Sequence, residues 1–273
     1  MIEARRLPRN VVDRYEEEGF IFPVAALDEN EVAIYRQWFE RVEHELHMRE
    51  RTLLWTNLHL SFRWAYNLAT HPTVLDAVED LIGPQFSIYS TLVFVKSAGA
   101  PSFVSWHQDG QFLLRSSQPM RALTAWIALS PSTAANGCLQ IIPRSHRKGR
   151  LLHASTYAGD NLLLRGETVQ GNVEEDSSVC IELKPGEMSL HHVDVIHGSK
   201  PNHSDEPRIG FTVRYLPPTV VPSKAHSGMV PARGGGHANS GSAPPRGRAF
   251  LDEVADHIAR VERAWVTLAQ EER

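Results

Sequence analysis

The spacing of apolar residues changes character near residue 85. Before this point, apolar residues recur at helical intervals over 11–18, about 29–48 and 72–82, and Asp28 is a plausible N-cap of the second helix. After it, short apolar runs alternate with polar residues and are separated by turns rich in Gly, Pro and Asn. The pattern predicts a helical segment followed by a strand-rich core.

The core contains seven segments with the pattern of strands: 86–96, 103–107, 122–129, 139–142, 178–183, 187–191 and 208–216. Many short strands after a helical start predict a mainly β protein with flanking helices, built as a sandwich or barrel. We expect one domain over 1–273, with a helical segment at 1–85, the β core at 86–216, a Gly/Pro-rich loop or lid at 217–248 and a C-terminal helix at 249–273.

Composition narrows the class of protein. The net charge of −4 lacks the basic excess of a nucleic-acid binder. No apolar run approaches the roughly 20 residues that a membrane span needs, and the N-terminus has no apolar signal core. The two cysteines form no CxxC pair. We therefore expect a soluble, cytoplasmic protein with no nucleic-acid or membrane partner.

The most informative polar pattern is His-x-Asp. A histidine and a carboxylate two residues apart on a strand share one face and can bind the same metal ion, with a second histidine supplied by a distant strand. The pattern occurs three times, at 107–109, 192–194 and 203–205, so it is weak evidence alone. Its context has to select among the three copies.

Context favours His107 and Asp109. They follow the apolar run 103–106, and His197 lies ninety residues further on as a candidate second histidine. The copy at 203–205 lies in a turn sequence, and the copy at 192–194 lacks a good distant partner. His191 and His192 are interpreted as ordinary histidines at a strand end whose hydrogen bonds are satisfied.

Arg208 adds a fourth element. It opens the segment RIGFTVRYL, in which Arg208, Gly210, Thr212 and Arg214 alternate with apolar residues. One strand face is therefore polar, and a guanidinium on it could pair with a carboxylate through two hydrogen bonds.

Four stretches of the chain form a longer motif set: WHQDG at 106–110, the long segments 124–149 and 185–218, and the segment 57–83. In these stretches the chain resembles the phytanoyl-CoA dioxygenase family of iron(II)/2-oxoglutarate oxygenases. The resemblance spans roughly residues 10–220. It implies a double-stranded β-helix (jelly-roll, cupin-like) core that uses Fe(II), 2-oxoglutarate and O₂.

The resemblance also implies roles for individual residues. His107, Asp109 and His197 would bind iron, and Arg208 would bind the distal carboxylate of 2-oxoglutarate. Ser199 would help to hold that carboxylate, and Trp126 would lie near the co-substrate. Leu92 is a further candidate for co-substrate binding. Leu92 and Lys96 match the family only through a gap.

Asp109 bears on the reaction. Halogenases of this superfamily have Ala or Gly at the carboxylate position, which leaves room for chloride. The resemblance therefore implies hydroxylation of a small molecule rather than halogenation.

The substrate is less well defined. Arg115 or Arg214 could bind an anionic group of it, and the resemblance places Asn57, His59 and Arg63 at the border of its pocket. We expect a monomer or a homodimer.

Three alternatives stay open. The same scaffold could catalyse desaturation, epimerisation or ring formation. A non-catalytic cupin-like binding module would have lost a ligand residue, whereas all the key residues are present. A zinc hydrolase could also use two histidines and a carboxylate, but it would need no arginine for a co-substrate.

Overall fold

The computed structural model describes residues 7–46, 55–113, 121–220, 229–235, 243–245 and 247–271. Its α-helices are α1 Arg9–Glu18, α2 Glu29–Leu46, α3 Arg63–Ala69, α4 Pro72–Ile82, α5 Gly110–Leu113 and α6 Phe250–Glu271. Short 3-10 helices lie at Leu58–Leu60, Ser145–Lys148 and Glu175–Ser177. No helix in these ranges is long and apolar enough to cross a lipid bilayer.

The strands are β1 Phe20–Ala25, β2 Phe86–Lys96, β3 Val104–His107, β4 Leu123–Ala128, β5 Leu139–Ile141, β6 His153–Ser155, β7 Glu167–Val169, β8 Val179–Ile181, β9 Glu187–His192, β10 His197–Ser199, β11 Arg208–Leu216 and β12 Val230–Arg233. The seven predicted strands are all present, with ends that differ by one or two residues where they differ at all.

Two antiparallel sheets form the core. The larger has the order β1-β9-β4-β11-β2-β12, and the smaller has the order β3-β10-β5-β8. They pack face to face, with Trp126 and Ala128 of the larger sheet in one apolar cluster with Leu139, Ile141 and Ile181 of the smaller. This architecture is a double-stranded β-helix and confirms the expected fold class.

Helices cover the outer face of the larger sheet. The apolar residues of β11 belong to the same buried cluster as α3 and α4, and the ring of Phe211 lies 6.1 Å from that of Trp64. The hydroxyl of Tyr215 donates to the carbonyl oxygen of Ala69 at 2.7 Å. The apolar face of β11 therefore packs under the helices, and its polar face is left to point between the two sheets.

Local sequence signals set the helix boundaries. The backbone N–H of Glu31 donates to Asp28, and the N–H of Asp28 donates to the side chain of Glu31, which is a reciprocal capping box at the start of α2. Gly19 ends α1 in the left-handed region with φ +87°, a conformation that favours glycine.

Two strands lie where none was expected. The segment 1–85 was predicted to be helical, but β1 lies within it and pairs with β9. The segment 217–248 was predicted to be a loop or lid, but β12 lies within it and pairs with β2. Both strands contain a proline, Pro23 and Pro231, and both lie at an edge of the larger sheet, where a missing N–H donor is tolerated.

Candidate metal centre

Two histidines and an aspartate meet at the end of the smaller sheet. His107 ends β3 and His197 begins β10, and the two residues stand opposite each other in the antiparallel pair. Oδ1 of Asp109 lies 3.8 Å from Nε2 of His107, and Oδ2 lies 3.9 Å from Nε2 of His197. All three side chains are buried, and their ligand atoms lie within 4.8 Å of one another.

Hydrogen bonds fix which nitrogen of each histidine faces this cluster. Nδ1 of His107 lies 2.9 Å from the carbonyl oxygen of Ser105, and Nδ1 of His197 lies 3.0 Å from that of Val195. A carbonyl oxygen only accepts, so each Nδ1 carries the proton and each Nε2 keeps its lone pair for a metal. Burial and the neighbouring His107 hold the pKa of His197 well below its usual value, so its ring is neutral, as a metal ligand must be.

The carboxylate of Asp109 is held from two sides by the larger sheet. The hydroxyl of Thr124 donates to Oδ2 at 2.6 Å, and Nη2 of Arg214 donates to Oδ1 at 2.5 Å. Burial alone would raise the pKa of Asp109, but Arg214 and the surrounding histidines hold that pKa well below its usual range. Asp109 is therefore ionised, and it offers an anionic oxygen beside the Nε2 atoms of the two histidines.

This donor set fits one divalent metal ion. Two imidazoles and one carboxylate converging from one side match the facial triad of non-haem iron(II) sites. In the ranges that the structure describes, no other group of three potential ligands is brought together in this way. At the second His-x-Asp copy, Nδ1 of His192 accepts the backbone N–H of Asp194 at 3.0 Å instead.

Gln108, between the two motif residues, anchors the end of β3. Its side-chain amide donates to the carbonyl oxygens of Gly149 and Asp194 at 2.9 and 2.7 Å and accepts the backbone N–H of Leu151 at 2.7 Å. Its backbone N–H donates to Nε2 of His153 at 3.0 Å. Four hydrogen bonds therefore hold the short segment that carries His107 and Asp109.

The cluster opens into a cavity between the two sheets, with about 370 Å³ of space, part of it open to solvent. Arg208 lines the same cavity and is 1% exposed. Its Nη1 donates to the carbonyl oxygen of Gly137 at 2.7 Å, whereas its Nε has no partner among the described residues. Burial lowers the pKa of Arg208 to about 10, so it stays protonated at neutral pH.

No acidic side chain of the described chain pairs with Arg208. A buried guanidinium without an anion is unfavourable, because its desolvation is not offset by a counter-charge. The Arg208 site therefore fits a ligand that brings its own carboxylate.

Ser199 and Lys96 lie at the Arg208 end of the cavity. The Nζ of Lys96 donates to Oγ of Ser199 at 2.7 Å and also to the carbonyl oxygen of Lys200. Burial and the nearby Arg208 lower the pKa of Lys96 to about 6, so Lys96 is largely uncharged at neutral pH. Arg208 therefore supplies the positive charge, and Lys96 fixes the Ser199 hydroxyl beside it.

Trp126 forms a wall of the cavity next to Arg208. The guanidinium carbon of Arg208 lies 5.3 Å from the centre of the Trp126 ring. Gly210 makes this position possible, because a Cβ atom there would lie 1.9 Å from Cζ2 of the ring.

Other residues expected near the site do not line the cavity: Leu92, Asn57, His59 and Arg63. The side chain of Leu92 belongs to the main hydrophobic core. Arg115 lies outside the described residues.

Sequence reasoning missed His191 and Thr124. His191 was expected to have satisfied hydrogen bonds, but it lines the cavity and neither ring nitrogen has a partner among the described residues. Thr124 lies directly opposite His191 on the neighbouring strand β4. Only the order of the strands reveals that these two residues face the metal ligands.

A double-stranded β-helix that encloses two histidines and a carboxylate defines the class of cupin-like non-haem metal proteins. The chain belongs to the phytanoyl-CoA dioxygenase (PhyH) family, whose model matches residues 15–210. This finding confirms the family expected from the motifs.

Three similar proteins illustrate the range of the family and its fold. The mouse "phytanoyl-CoA dioxygenase domain-containing protein 1" is 30% identical over 54% of this chain, which spans about half of that relative, 51%. A "1-deoxypentalenic acid 11-beta-hydroxylase" of Streptomyces exfoliatus is 29% identical over 81% of this chain and 84% of the relative. The solved structure of the "non-heme monooxygenase" ThoJ has a TM-score of 0.76 and 28% identity, covering 96% of this chain and 99% of ThoJ.

Proposed function

We propose that this protein is an iron(II)- and 2-oxoglutarate-dependent dioxygenase that hydroxylates an unactivated C–H bond of a small-molecule metabolite, with release of succinate and carbon dioxide. One observation carries the proposal. The buried triad shares a cavity with a buried arginine that has no carboxylate partner in the described chain. A hydrolytic zinc site would need the triad but not the arginine.

His107, Asp109 and His197 would hold iron(II), which when bound supplies the site for O₂ and for oxidation of the substrate. The hydrogen bonds of both Nδ1 atoms leave each Nε2 facing the metal position, and the ionised Asp109 and the neutral His197 have no proton to lose before the metal binds. The anchoring of Gln108 keeps two of the three ligands in place.

Arg208 would pair with the C5 carboxylate of 2-oxoglutarate, and the Ser199 hydroxyl would offer a second donor. Lys96 positions that hydroxyl through its own hydrogen bond. The ring of Trp126 lines the cavity beside Arg208 and would shield this ion pair from water.

The presence of Asp109 supports hydroxylation rather than halogenation, because the carboxylate occupies the position that a halide would need. The reaction outcome then depends on how the substrate is placed. The mass of the product distinguishes hydroxylation from desaturation, epimerisation and ring formation. The similar Streptomyces enzyme is named for hydroxylation of a small carboxylic acid, which supports a small-molecule substrate here. The cytoplasmic location and the oligomeric state stay predictions from the sequence.

The proposal is tested by measuring succinate formation from 2-oxoglutarate. Without substrate, we expect slow succinate release, and this release should require both iron(II) and O₂. With substrate, we expect faster release that is coupled to a product one oxygen atom heavier than the substrate. His197→Ala should abolish both. Turnover that proceeds equally with zinc, or without 2-oxoglutarate, would contradict the proposal.

A further inference from the structure

Three polar side chains form a row across the larger sheet beside the metal ligands. In the registers of β9, β4 and β11, His191 lies opposite Thr124, and Thr124 lies opposite Arg214. Residues directly opposite in antiparallel strands share a face, and all three line the cavity. The row therefore flanks Asp109, with Thr124 at its centre and one nitrogen-bearing side chain on each side.

Arg214 has unused donors. Arg214 is 9% exposed. Its Nη2 donates to Asp109, and among the described residues its Nη1 makes only a long contact of 3.4 Å with Oγ of Ser90. Its Nε has no partner among the described residues. A buried donor left without an acceptor costs roughly 1–3 kcal/mol, so the fold alone gives no reason to place one here.

His191 has no hydrogen bond that accounts for its burial. It is 1% exposed, and both ring nitrogens lack partners among the described residues. Its Nε2 lies 3.6 Å from Oδ2 of Asp109, which is too long for an ordinary hydrogen bond. Its ring lies 4.7 Å from the ring of His197, so any ligand it contacts lies next to the metal site.

With iron(II) and 2-oxoglutarate bound, Arg214 is the one positive group among the described residues of the site that has to share its carboxylate partner. On the proposed function, the two positive charges of iron(II) are matched by Asp109 and by the C1 carboxylate of 2-oxoglutarate. The C5 carboxylate matches Arg208, and Lys96 is largely uncharged. Arg214 shares the carboxylate of Asp109 with the metal, and no second carboxylate of the described chain pairs with it.

We propose that Arg214 and His191 form an anion-binding subsite beside the metal, which takes a carboxylate or phosphate group of the substrate. The subsite rests on the proposed function and extends it by naming the substrate class. Arg214 supplies the charge through its free Nε and Nη donors, and His191 donates one hydrogen bond from the opposite side of Thr124. An anionic group held there would lie next to the iron, with the rest of the substrate towards the open side of the cavity.

The experiment compares acids with their own amides. Protein loaded under anaerobic conditions with iron(II) and saturating 2-oxoglutarate is titrated with inorganic phosphate and with a panel of small carboxylic acids, each paired with its amide. Binding is followed by the melting temperature. We expect stabilisation by members of the acid set and by no amide, because only the acid carries the charge that Arg214 pairs with.

Variants locate the subsite. Arg214→Gln should weaken acid binding by roughly tenfold or more, the effect of losing a charged hydrogen bond. His191→Phe should weaken acid binding by a smaller factor, and Arg214→Lys should retain part of the acid binding. Arg208→Gln tests whether the acids bind at the co-substrate end of the cavity instead. The matched control is Arg144→Gln, which removes an exposed arginine that does not line the cavity and should retain the preference for acids over amides.

Several outcomes would overturn the subsite. They are equal stabilisation by acids and amides, no stabilisation by any acid, unchanged acid binding in Arg214→Gln, and loss of the acid preference only in Arg208→Gln. If Arg214→Gln fails to bind iron at saturation, Arg214 serves Asp109 alone and the proposal is wrong. Iron and 2-oxoglutarate binding in the wild type is read separately from the visible absorption band of their complex, so failure of the proposed function is distinguishable from failure of the subsite.

Discussion

At the scale of single residues, two buried arginines face the cavity from opposite ends of β11, and they differ in their partners. Arg214 pairs with Asp109, whereas Arg208 donates only to the carbonyl oxygen of Gly137 among the described residues. An uncompensated buried charge is more unfavourable than a paired one. Arg208 is therefore where a ligand carboxylate gains most on binding.

We expect Arg208→Gln to raise the KM for 2-oxoglutarate by about 10- to 100-fold, because a charged hydrogen-bonded pair is replaced by a neutral one. Iron binding should not change, since Arg208 contacts no metal ligand. Initial rates and an iron titration measure the two effects. The control is Arg144→Gln, which removes an exposed arginine paired with Glu17 and Glu18. An unchanged KM in Arg208→Gln would contradict the assignment of this subsite.

Lys96 should make the stability of the ligand-free protein depend on pH. Its pKa is about 6 in the folded protein, against 10.5 for an ordinary lysine. Between these values the unfolded chain binds more protons, so stability rises with pH and falls as the pH is lowered towards 6. The slope contributed by Lys96 approaches about 1.4 kcal/mol per pH unit.

The test is urea unfolding at several pH values between about 6 and 9 for the wild type and Lys96→Met. The wild type should lose stability more steeply than the variant as the pH falls, because methionine binds no proton. Parallel curves for the two proteins would show that Lys96 keeps an ordinary pKa.

The site residues that were predicted from the sequence belong to one ordered motif, and those that were not predicted lie on other strands. His107, Asp109, His197 and Arg208 follow one another along the chain in a fixed order, so their motif and spacing were visible. Thr124 and His191 contribute through strands that are neighbours in the sheet but distant in sequence. Their roles depend on strand order, which periodicity does not determine.

At the scale of elements, β11 connects the helices to the site. Its apolar face packs under α3 and α4, and its polar face lines the cavity, so both faces are buried. The alternation in the sequence predicted both faces. It could not predict β1 and β12, because each contains a proline, which argues against a strand unless the segment lies at a sheet edge.

Gly210 on β11 should be intolerant of a side chain. A Cβ atom there would lie 1.9 Å from Cζ2 of Trp126, so Gly210→Ala must push the ring towards the cavity. We expect a loss of about 1–3 kcal/mol in the free energy of unfolding and weaker 2-oxoglutarate binding.

Urea unfolding and the KM for 2-oxoglutarate measure these two effects. The matched control is Gly159→Ala, where an added Cβ meets nothing within 4 Å. If Gly210→Ala behaved like this control, the packing described for Trp126 would be wrong.

At the scale of the whole molecule, the interior between the sheets is unusual because it carries charges. Asp109, Arg208 and Arg214 are all buried there, whereas the largest apolar cluster lies between the larger sheet and the helices. Buried charges are unfavourable unless they are matched. Ligands that complete the charge pairs should therefore stabilise the entire fold.

We expect manganese(II), an iron substitute that does not turn over readily, to raise the melting temperature together with 2-oxoglutarate. At ligand concentrations 100-fold above Kd, each ligand adds about 2.7 kcal/mol. A chelator should reverse the effect, and His107→Ala should lose the metal-dependent part because it removes a ligand nitrogen. Equal stabilisation of His107→Ala by manganese would place the metal elsewhere.

The most direct test of the central claim is an anaerobic titration of the protein with iron(II) and 2-oxoglutarate, followed by visible absorption. The account predicts a weak charge-transfer band that appears only when both are present, saturates at one iron per chain, and is absent in His197→Ala. The absence of a band at saturating concentrations of both would contradict the assignment of His107, Asp109, His197 and Arg208 as one iron and 2-oxoglutarate site.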